Sequence, residues 1–333
     1  MREFVIGRND AGQRADKFLG KAVPRLPQTL LHKYLRMKRI KLNGKRCGAA
    51  DRLNEGDVIS LYVNDEFFED SRAYPFLFAP AQVNIVYEDE NILIADKPAG
   101  LIVHEDADEK YDTLINRICR VLYERGEYDP ERENSFAPAL CNRIDRGTCG
   151  MVIAAKNAEA LRILNEKIRL RELDKRYICI ITGHITPEKG RLSGYLLKDC
   201  ESNRVTVSQG RREGAKTALT EYRVLRRLDG CDLVEARLIT GRTHQIRAQF
   251  AQAGHPLLGD TKYGRLDPHT KLRTQALCSY KLRFSFSAGE THGLLDYLDG
   301  REFTVDTEAF LAKYLPPSAQ DRQKQPRRTT SAG

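Results

Sequence analysis

Asp145 stands in the stretch "CNRIDRGTCG", Cys141–Gly150, between Arg143 and Arg146 and shortly before Gly147, Thr148 and Gly150. The residues that follow, "MVIAA" from Met151 to Ala155, have the apolar run of a buried strand. A carboxylate at such a loop–strand junction is held by rigid backbone yet stays within reach of a substrate. Alternate side chains of extended backbone point apart, so Arg143 and Arg146 cannot both share the face of Asp145. A permanent cationic partner then has to come from elsewhere in the chain. An ion pair with arginine would aim the carboxylate, which suits a nucleophile or a base better than an acid. On the residues alone, a structural salt bridge within a turn is an equal rival.

Several other chemistries lack their residues. There is no Gly-rich phosphate loop of Walker or dinucleotide spacing, and the nearest stretch, "TGRTH", has the wrong form. A Gly-x-Ser-x-Gly elbow is missing. The seven histidines never stand four apart, and the eight cysteines include no Cys-x-x-Cys pair, so no metal site is expected. Cys149 lacks a neighbouring histidine, which argues against a nucleophilic thiol. No cofactor is expected either. The chain opens without the apolar stretch of a signal peptide, and no apolar run approaches the roughly 20 residues that cross a bilayer. The expectation is a cytoplasmic monomer with reduced thiols and no membrane contact.

The elements that must position Asp145 lie in a chain of 333 residues, 41% hydrophobic and 30% charged, long enough for two domains. Net charge is +9, and it is concentrated: Ala11 to Arg52 holds twelve Lys and Arg against Asp16 and Asp51. Such a block calls for a polyanionic partner, above all nucleic acid. Ala15, Phe18, Leu19, Ala22 and Val23 recur at helical spacing, and Leu30, Leu31, Tyr34 and Leu35 mark a second helix. Asn43-Gly44 between Ile40–Leu42 and Lys45–Cys47 signals a two-residue hairpin, and Glu55–Val63 reads as a closing strand. Two helices and a hairpin, with "RADKFL" and "IKLNGK" as the telling pieces, resemble the S4 RNA-binding domain. The resemblance implies that Arg14, Lys33, Arg36, Lys38, Arg39 and Lys45 meet RNA.

Residues 65–80 read as a linker that partly packs, and 81–314 as a second, larger domain. "VNIVYEDENILIADKPAG" shows two strands around Glu88–Asn91. Leu161, Leu164 and Ile168 follow Asn157, a helix N-cap. "RYICIITG" reads as a strand ending at Gly183, and "DLVEARLIT", Asp232–Thr240, as a half-buried one. "RTHQIRAQFAQAG" reads as a helix with Ile246, Phe250 and Ala253 on one face and Gly254 as its C-cap. This irregular interleaving favours an α+β fold with a mixed, mainly antiparallel sheet flanked by helices. Residues 315–333 read as a disordered basic tail.

"NRIDRGTCGMVIAAKN" resembles the signature of the RluA family of RNA pseudouridine synthases, His-Arg-Leu-Asp-x-x-Thr-Ser-Gly followed by Ala-Lys. "DKPAGLIVH" (96–104) before it, and "KRYICIITG" (175–183) and "GRTHQIRAQFAQAGHPLLGDTKYG" (241–264) after it, agree in the family's order. Asn142, Ile144 and Cys149 depart from the family's His, Leu and Ser, which bears on subfamily and substrate rather than on the reaction. The resemblance implies Asp145 as catalytic aspartate, Arg242 as its ion-pair partner and Tyr177 as the ring stacking on the target base. Arg143, His244 and Arg247 would contact RNA, with His244 orienting Arg242 or meeting a phosphate. The reaction implied breaks N1–C1′ of a uridine and rejoins C1′ to C5, so nothing is oxidised and no cofactor or metal is consumed. The carboxylate would attack C1′ or take a proton from C2′; the sequence leaves both open. The implied partner is structured RNA, with large-subunit ribosomal RNA placed before transfer RNA. A noncatalytic RNA-binding or ribosome-assembly factor on a synthase scaffold is the reading from another class, and an N-glycosidase ranks last.

Overall fold

The N-terminal residues form β1 (Arg2–Val5), α1 (Ala15–Ala22), α2 (Gln28–Arg36), β2 (Ile40–Leu42), β3 (Lys45–Arg46) and β4 (Val58–Leu61) into one unit, with apolar residues at helical spacing in the two helices. The structure is a computed structural model that describes residues 1–68, 74–199, 202, 204–264, 272–287 and 293–314. The two expected helices pack Phe18, Leu19, Leu31 and Leu35 onto a sheet of order β1-β4-β2-β3. The β2–β3 turn is the expected Asn43-Gly44 hairpin, with φ of 50° and 72° at its two residues. β1 pairs with β4 along its whole length and carries no signal that singled it out in the sequence. The closing strand is shorter than Glu55–Val63, because Gly56 turns at φ 85° before it starts.

The remaining elements are β5 (Ile85–Glu88), β6 (Ile92–Lys97), α3 (Leu114–Glu124), β7 (Ala139–Leu140), β8 (Cys149–Ala155), α4 (Ala158–Arg169), β9 (Leu173–Thr182), β10 (Lys189–Asp199), β11 (Arg204–Ser208), β12 (Lys216–Leu228), β13 (Cys231–Leu238), α5 (Gln245–Gln252), β14 (Leu277–Phe284), β15 (Glu302–Thr304) and α6 (Glu308–Tyr314). Their strands form one sheet of order β11-β10-β12-β13-β9-β14-β8-β6-β5, with β7 on β8 and β15 on β14. Among the described residues every pairing is antiparallel except β8 with β14. The α+β fold with a mixed, mainly antiparallel sheet is therefore as expected. One face carries α4, α6 and a core around Ile153, Leu164 and Phe284; the other carries α3, α5 and a core around Ile118, Val152 and Phe250.

Asn157 caps α4 by accepting from the Ala160 amide at 2.8 Å, as expected. β13 departs from the half-buried reading, since all of Asp232–Ala236 is buried. Its polar residues alternate toward ion pairs instead of water: Glu235 meets Arg176 at 3.4 Å and Arg223 at 3.1 Å, and Asp232 meets Arg227 at 2.8 Å. α5 ends near the expected place, with Gly254 at φ 86° just beyond Ala253. Part of the expected linker packs, Phe76 lying 5.5 and 5.8 Å from the rings of Tyr123 and Tyr128. Residues 69–73, Cys200 and the expected tail 315–333 lie outside the described residues. No helix among the described residues is long and apolar enough to cross a membrane.

Candidate active site

Asp145 lies in the turn that enters β8, and the turn is held from three sides. Thr148 returns its amide to the Asp145 carbonyl at 3.0 Å. The Thr148 hydroxyl is buried and accepts from Gln275 Nε2 at 3.0 Å. The Arg146 carbonyl accepts from the Gly100 amide at 2.7 Å and from Lys97 Nζ at 3.2 Å. Lys97 is fully buried and gives its other protons to the Pro98 and Leu101 carbonyls at 2.9 and 2.6 Å. Burial lowers its pKa to about 8. Gly150 permits the next close approach: it sits at φ 103°, and a Cβ there would lie 2.3 Å from the Ser279 carbonyl oxygen on β14. The parallel pairing of β8 with β14 begins at Cys149, opposite Cys278.

The carboxylate's partner comes from α5. Arg247 Nη1 donates to Asp145 Oδ2 at 2.9 Å. Its Nε and Nη2 bind both oxygens of Asp260 at 2.7 and 2.9 Å. One buried guanidinium therefore spans two carboxylates, and the ring of Tyr263 lies 5.2 Å from its centre. Asp260 is fixed in turn by the amides of Lys262 and Tyr263 at 2.9 and 3.1 Å. Arg247 pulls the Asp260 carboxyl below its ordinary pKa against the effect of burial. His244 holds a left-handed φ of 54° at the start of α5. Its Nδ1 lies 2.9 Å from the Tyr263 hydroxyl, and its Nε2 lies 3.8 Å from Asp145. Burial lowers its pKa, leaving the neutral imidazole favoured.

α5 can carry these groups because it is buried on nearly every side, and its glutamines find partners. Gln245 Nε2 donates to Leu219 O at 3.1 Å and Thr220 Oγ1 at 2.9 Å; Gln249 Nε2 donates to Leu192 O at 2.9 Å. A cavity of about 270 Å³ opens over this helix and the Asp145 turn, with Tyr177, Arg143, Arg242 and Lys175 among its walls. Asp145 retains 24% of its side-chain exposure there, so a ligand can reach it. Tyr177 is buried on β9, and burial pushes its phenol pKa up to about 12. It offers a neutral ring as one wall. Among the described residues no group of three or more His, Cys, Asp or Glu is placed to hold a metal ion.

Residues 91–252 match the RNA pseudouridylate synthase family. An RNA pseudouridine synthase of Mycoplasma genitalium, itself uncharacterized, is 32% identical over 85% of this chain and 88% of its own length. The ribosomal large subunit pseudouridine synthase C of Vibrio cholerae is 32% identical over 80% of this chain and 83% of its own. The chain belongs to the RluA family of RNA pseudouridine synthases. It is accordingly an isomerase that acts on RNA. The human RNA pseudouridylate synthase domain containing 4 shares the fold, with a TM-score of 0.55 at 21% identity over 70% of this chain and 91% of that one.

The synthase's pocket joins Asp145 and Tyr177 as expected, but Arg242 is not the ion-pair partner. Arg242 is exposed at the cavity wall and donates its Nε to the Thr217 carbonyl at 3.2 Å. It precedes the left-handed turn at His244, which aims it away, whereas Arg247 sits on the helix face toward the turn. Arg247 was expected to contact RNA; it is 7% exposed and both ends of its guanidinium are occupied, so it is a positioning group for Asp145. The His244 ring is held by Tyr263 at Nδ1 and turns its Nε2 toward Asp145. The missed partner, Asp260, stands in "GDTKYG" and is the one acid between Gly241 and Gly264. Arg143 is exposed at the cavity. In the N-terminal unit Lys33, Arg36, Lys38 and Lys45 are exposed and have no acidic partner among the described residues. Arg39 stacks over Tyr34 at 5.5 Å, and Arg14 is held by Asp16 at 2.8 Å, which offsets its charge. Two departures from the family signature have local uses. Asn142 Oδ1 accepts from the Ile153 amide at 2.8 Å, and Cys149 Sγ lies 3.6 Å from the Leu277 carbonyl.

Proposed function

We propose that Asp145 is the catalytic residue and that the substrate is large-subunit ribosomal RNA, held in part by the basic N-terminal unit acting as an S4-type RNA-binding domain. The observation that carries the first statement is the open carboxylate of Asp145, clasped by Arg247 in the cavity that Tyr177 walls. The target uridine leaves its stack and enters that cavity, its ring lying against Tyr177. Asp145 then attacks C1′ or removes the C2′ proton, N1–C1′ opens, and the turned uracil rejoins C1′ through C5. The proton on C5 is released. Ribosomal RNA is favoured by the likeness to the Vibrio ribosomal large subunit pseudouridine synthase C, and the unopposed lysines and arginines of α2 and β3 supply phosphate contacts.

Asp145→Asn keeps the shape and removes the charge. It is expected to abolish tritium release from large-subunit RNA carrying 5-tritiated uridine while RNA binding persists. Release at the wild-type rate would remove Asp145 from the chemistry. Mapping pseudouridines in ribosomal and transfer RNA from cells lacking the gene tests the substrate. Sites lost only from transfer RNA would overturn the ribosomal reading.

A further inference from the structure

The side chain left without a task in the cavity is Lys175. It stands two residues before Tyr177 on β9, so the two share one face of the strand, about 7 Å apart along it. Both line the cavity that holds Asp145. Among the described residues the Lys175 ammonium has no hydrogen-bond or ion-pair partner, although Arg176 beside it, on the opposite face, is paired with Asp174 and Glu235. Burial lowers the Lys175 pKa with no neighbouring acid to offset it. In the sheet, Cys149 at the end of the Asp145 turn is level with Ile178 across Cys278 of β14, Gly150 is level with Tyr177 across Ser279, and Lys175 lies farther along, opposite Leu282. Lys175 therefore stands farther from the Asp145 turn than Tyr177 does, with Tyr177 between the two along β9.

That order matches the order of groups in a uridine. If the sugar carbon C1′ lies at Asp145 and the ring lies on Tyr177, the edge of uracil opposite N1 points toward Lys175. That edge bears the O4 carbonyl. Resting on the reading of Asp145 given above, we infer that Lys175 donates a hydrogen bond to uracil O4 and stabilises the base as it leaves the sugar. When N1–C1′ breaks, the electron pair stays with uracil and spreads over N1, O2 and O4. An ammonium at O4 meets charge that exists only from the transition state onward, where a donor placed in advance is most effective. Lys175 keeps its proton throughout; C5 then forms the new bond to C1′ and loses its own hydrogen to solvent. The same contact discriminates between bases, since cytosine presents an amino group at that position and would set donor against donor.

The test uses full-length protein and large-subunit RNA transcribed with 5-tritiated uridine, in single-turnover reactions. Lys175→Met removes the donor and keeps the length of the side chain; Lys175→Arg keeps a donor. Lys175→Met is expected to slow tritium release by about 100-fold at unchanged RNA affinity, as loss of one such donor does elsewhere. Lys175→Arg is expected to recover part of the rate. A second measurement excludes a purely structural effect. In RNA made with 5-fluorouridine the base is a better leaving group, so the loss of substrate nucleoside is expected to slow much less in Lys175→Met than tritium release does. Equal slowing of both substrates would make Lys175 structural and overturn the inference, as would a Lys175→Met protein that works at the wild-type rate. If wild-type protein releases no tritium from any RNA offered, the reading of Asp145 falls and takes this inference with it, whereas a failure confined to the Lys175 variants overturns this inference alone.

Discussion

Arg247 serves two acids that differ in exposure, and that difference divides their tasks. Asp260 is fully buried and takes two of the guanidinium's donors, while Asp145 takes one and faces the cavity. The buried pair holds the arginine still, and the third donor aims the carboxylate of Asp145. Asp260→Asn would leave the buried guanidinium short of one negative charge. It is expected to cost on the order of 3 kcal/mol of stability. Single-turnover rates should fall while RNA affinity stays unchanged, since Asp260 touches no RNA; urea unfolding and rate measurements on one preparation check both. At this scale Asp145 stood out by its place at a loop–strand junction, and Tyr177 was singled out by the resemblance of its stretch to the RluA family. The choice between Arg242 and Arg247 could not. Five residues apart across a loop and a helix start, their directions depend on the left-handed backbone at His244, which no residue pattern announces.

Among the elements, β8 and β14 matter most to the site. Their parallel pairing brings Ser279 against Gly150 and so sets where the Asp145 turn ends. Gly150→Ala would place a methyl against backbone, at a φ that side chains rarely adopt. A loss of about 3 kcal/mol is expected, with a lowered thermal midpoint as the readout and a fall in activity beyond what unfolding explains. The strands next to the motifs were legible by their β-branched runs. The long strands β10 and β12 were not, because residues such as Arg191, Glu221 and Arg223 alternate with small and apolar ones and form ion pairs across the sheet face. Such a pattern has no clear apolar side. β13 was read as half-buried for the same reason: its acids face arginines, not water.

At the scale of the whole molecule, the basic unit is fastened to the larger one by polar contacts. Asp10, 1% exposed, accepts from Asn134 Nδ2 at 2.8 Å and Ser135 Oγ at 2.6 Å. Asn9 Oδ1 accepts from the first amide of α4 at 3.1 Å. The exposed cations of α2 and β3 are thereby given a defined place relative to the cavity. Replacing Lys33, Arg36, Lys38 and Lys45 together by glutamine is expected to weaken RNA binding and to flatten its salt dependence. Each lost contact lowers the slope of log K against log salt by about 0.7–0.9, so a change of up to about 3 is expected. An unchanged slope would mean that this face meets something other than RNA.

By itself the sequence determined the class of the fold, the two helices and hairpin of the basic unit, the concentration of charge, and the two groups, Asp145 and Tyr177, that meet in the pocket. The elements and the charge follow from periodicity and local composition, whereas the choice of Asp145 and Tyr177 came through the resemblance of their stretches to the RluA family. Only the tertiary structure decided which arginine holds Asp145, that Asp260 holds that arginine, and that Lys175 shares the cavity. These are contacts across 13 to 102 positions of sequence, fixed by where a buried helix lands on a twisted sheet, and no local pattern of side chains encodes that landing.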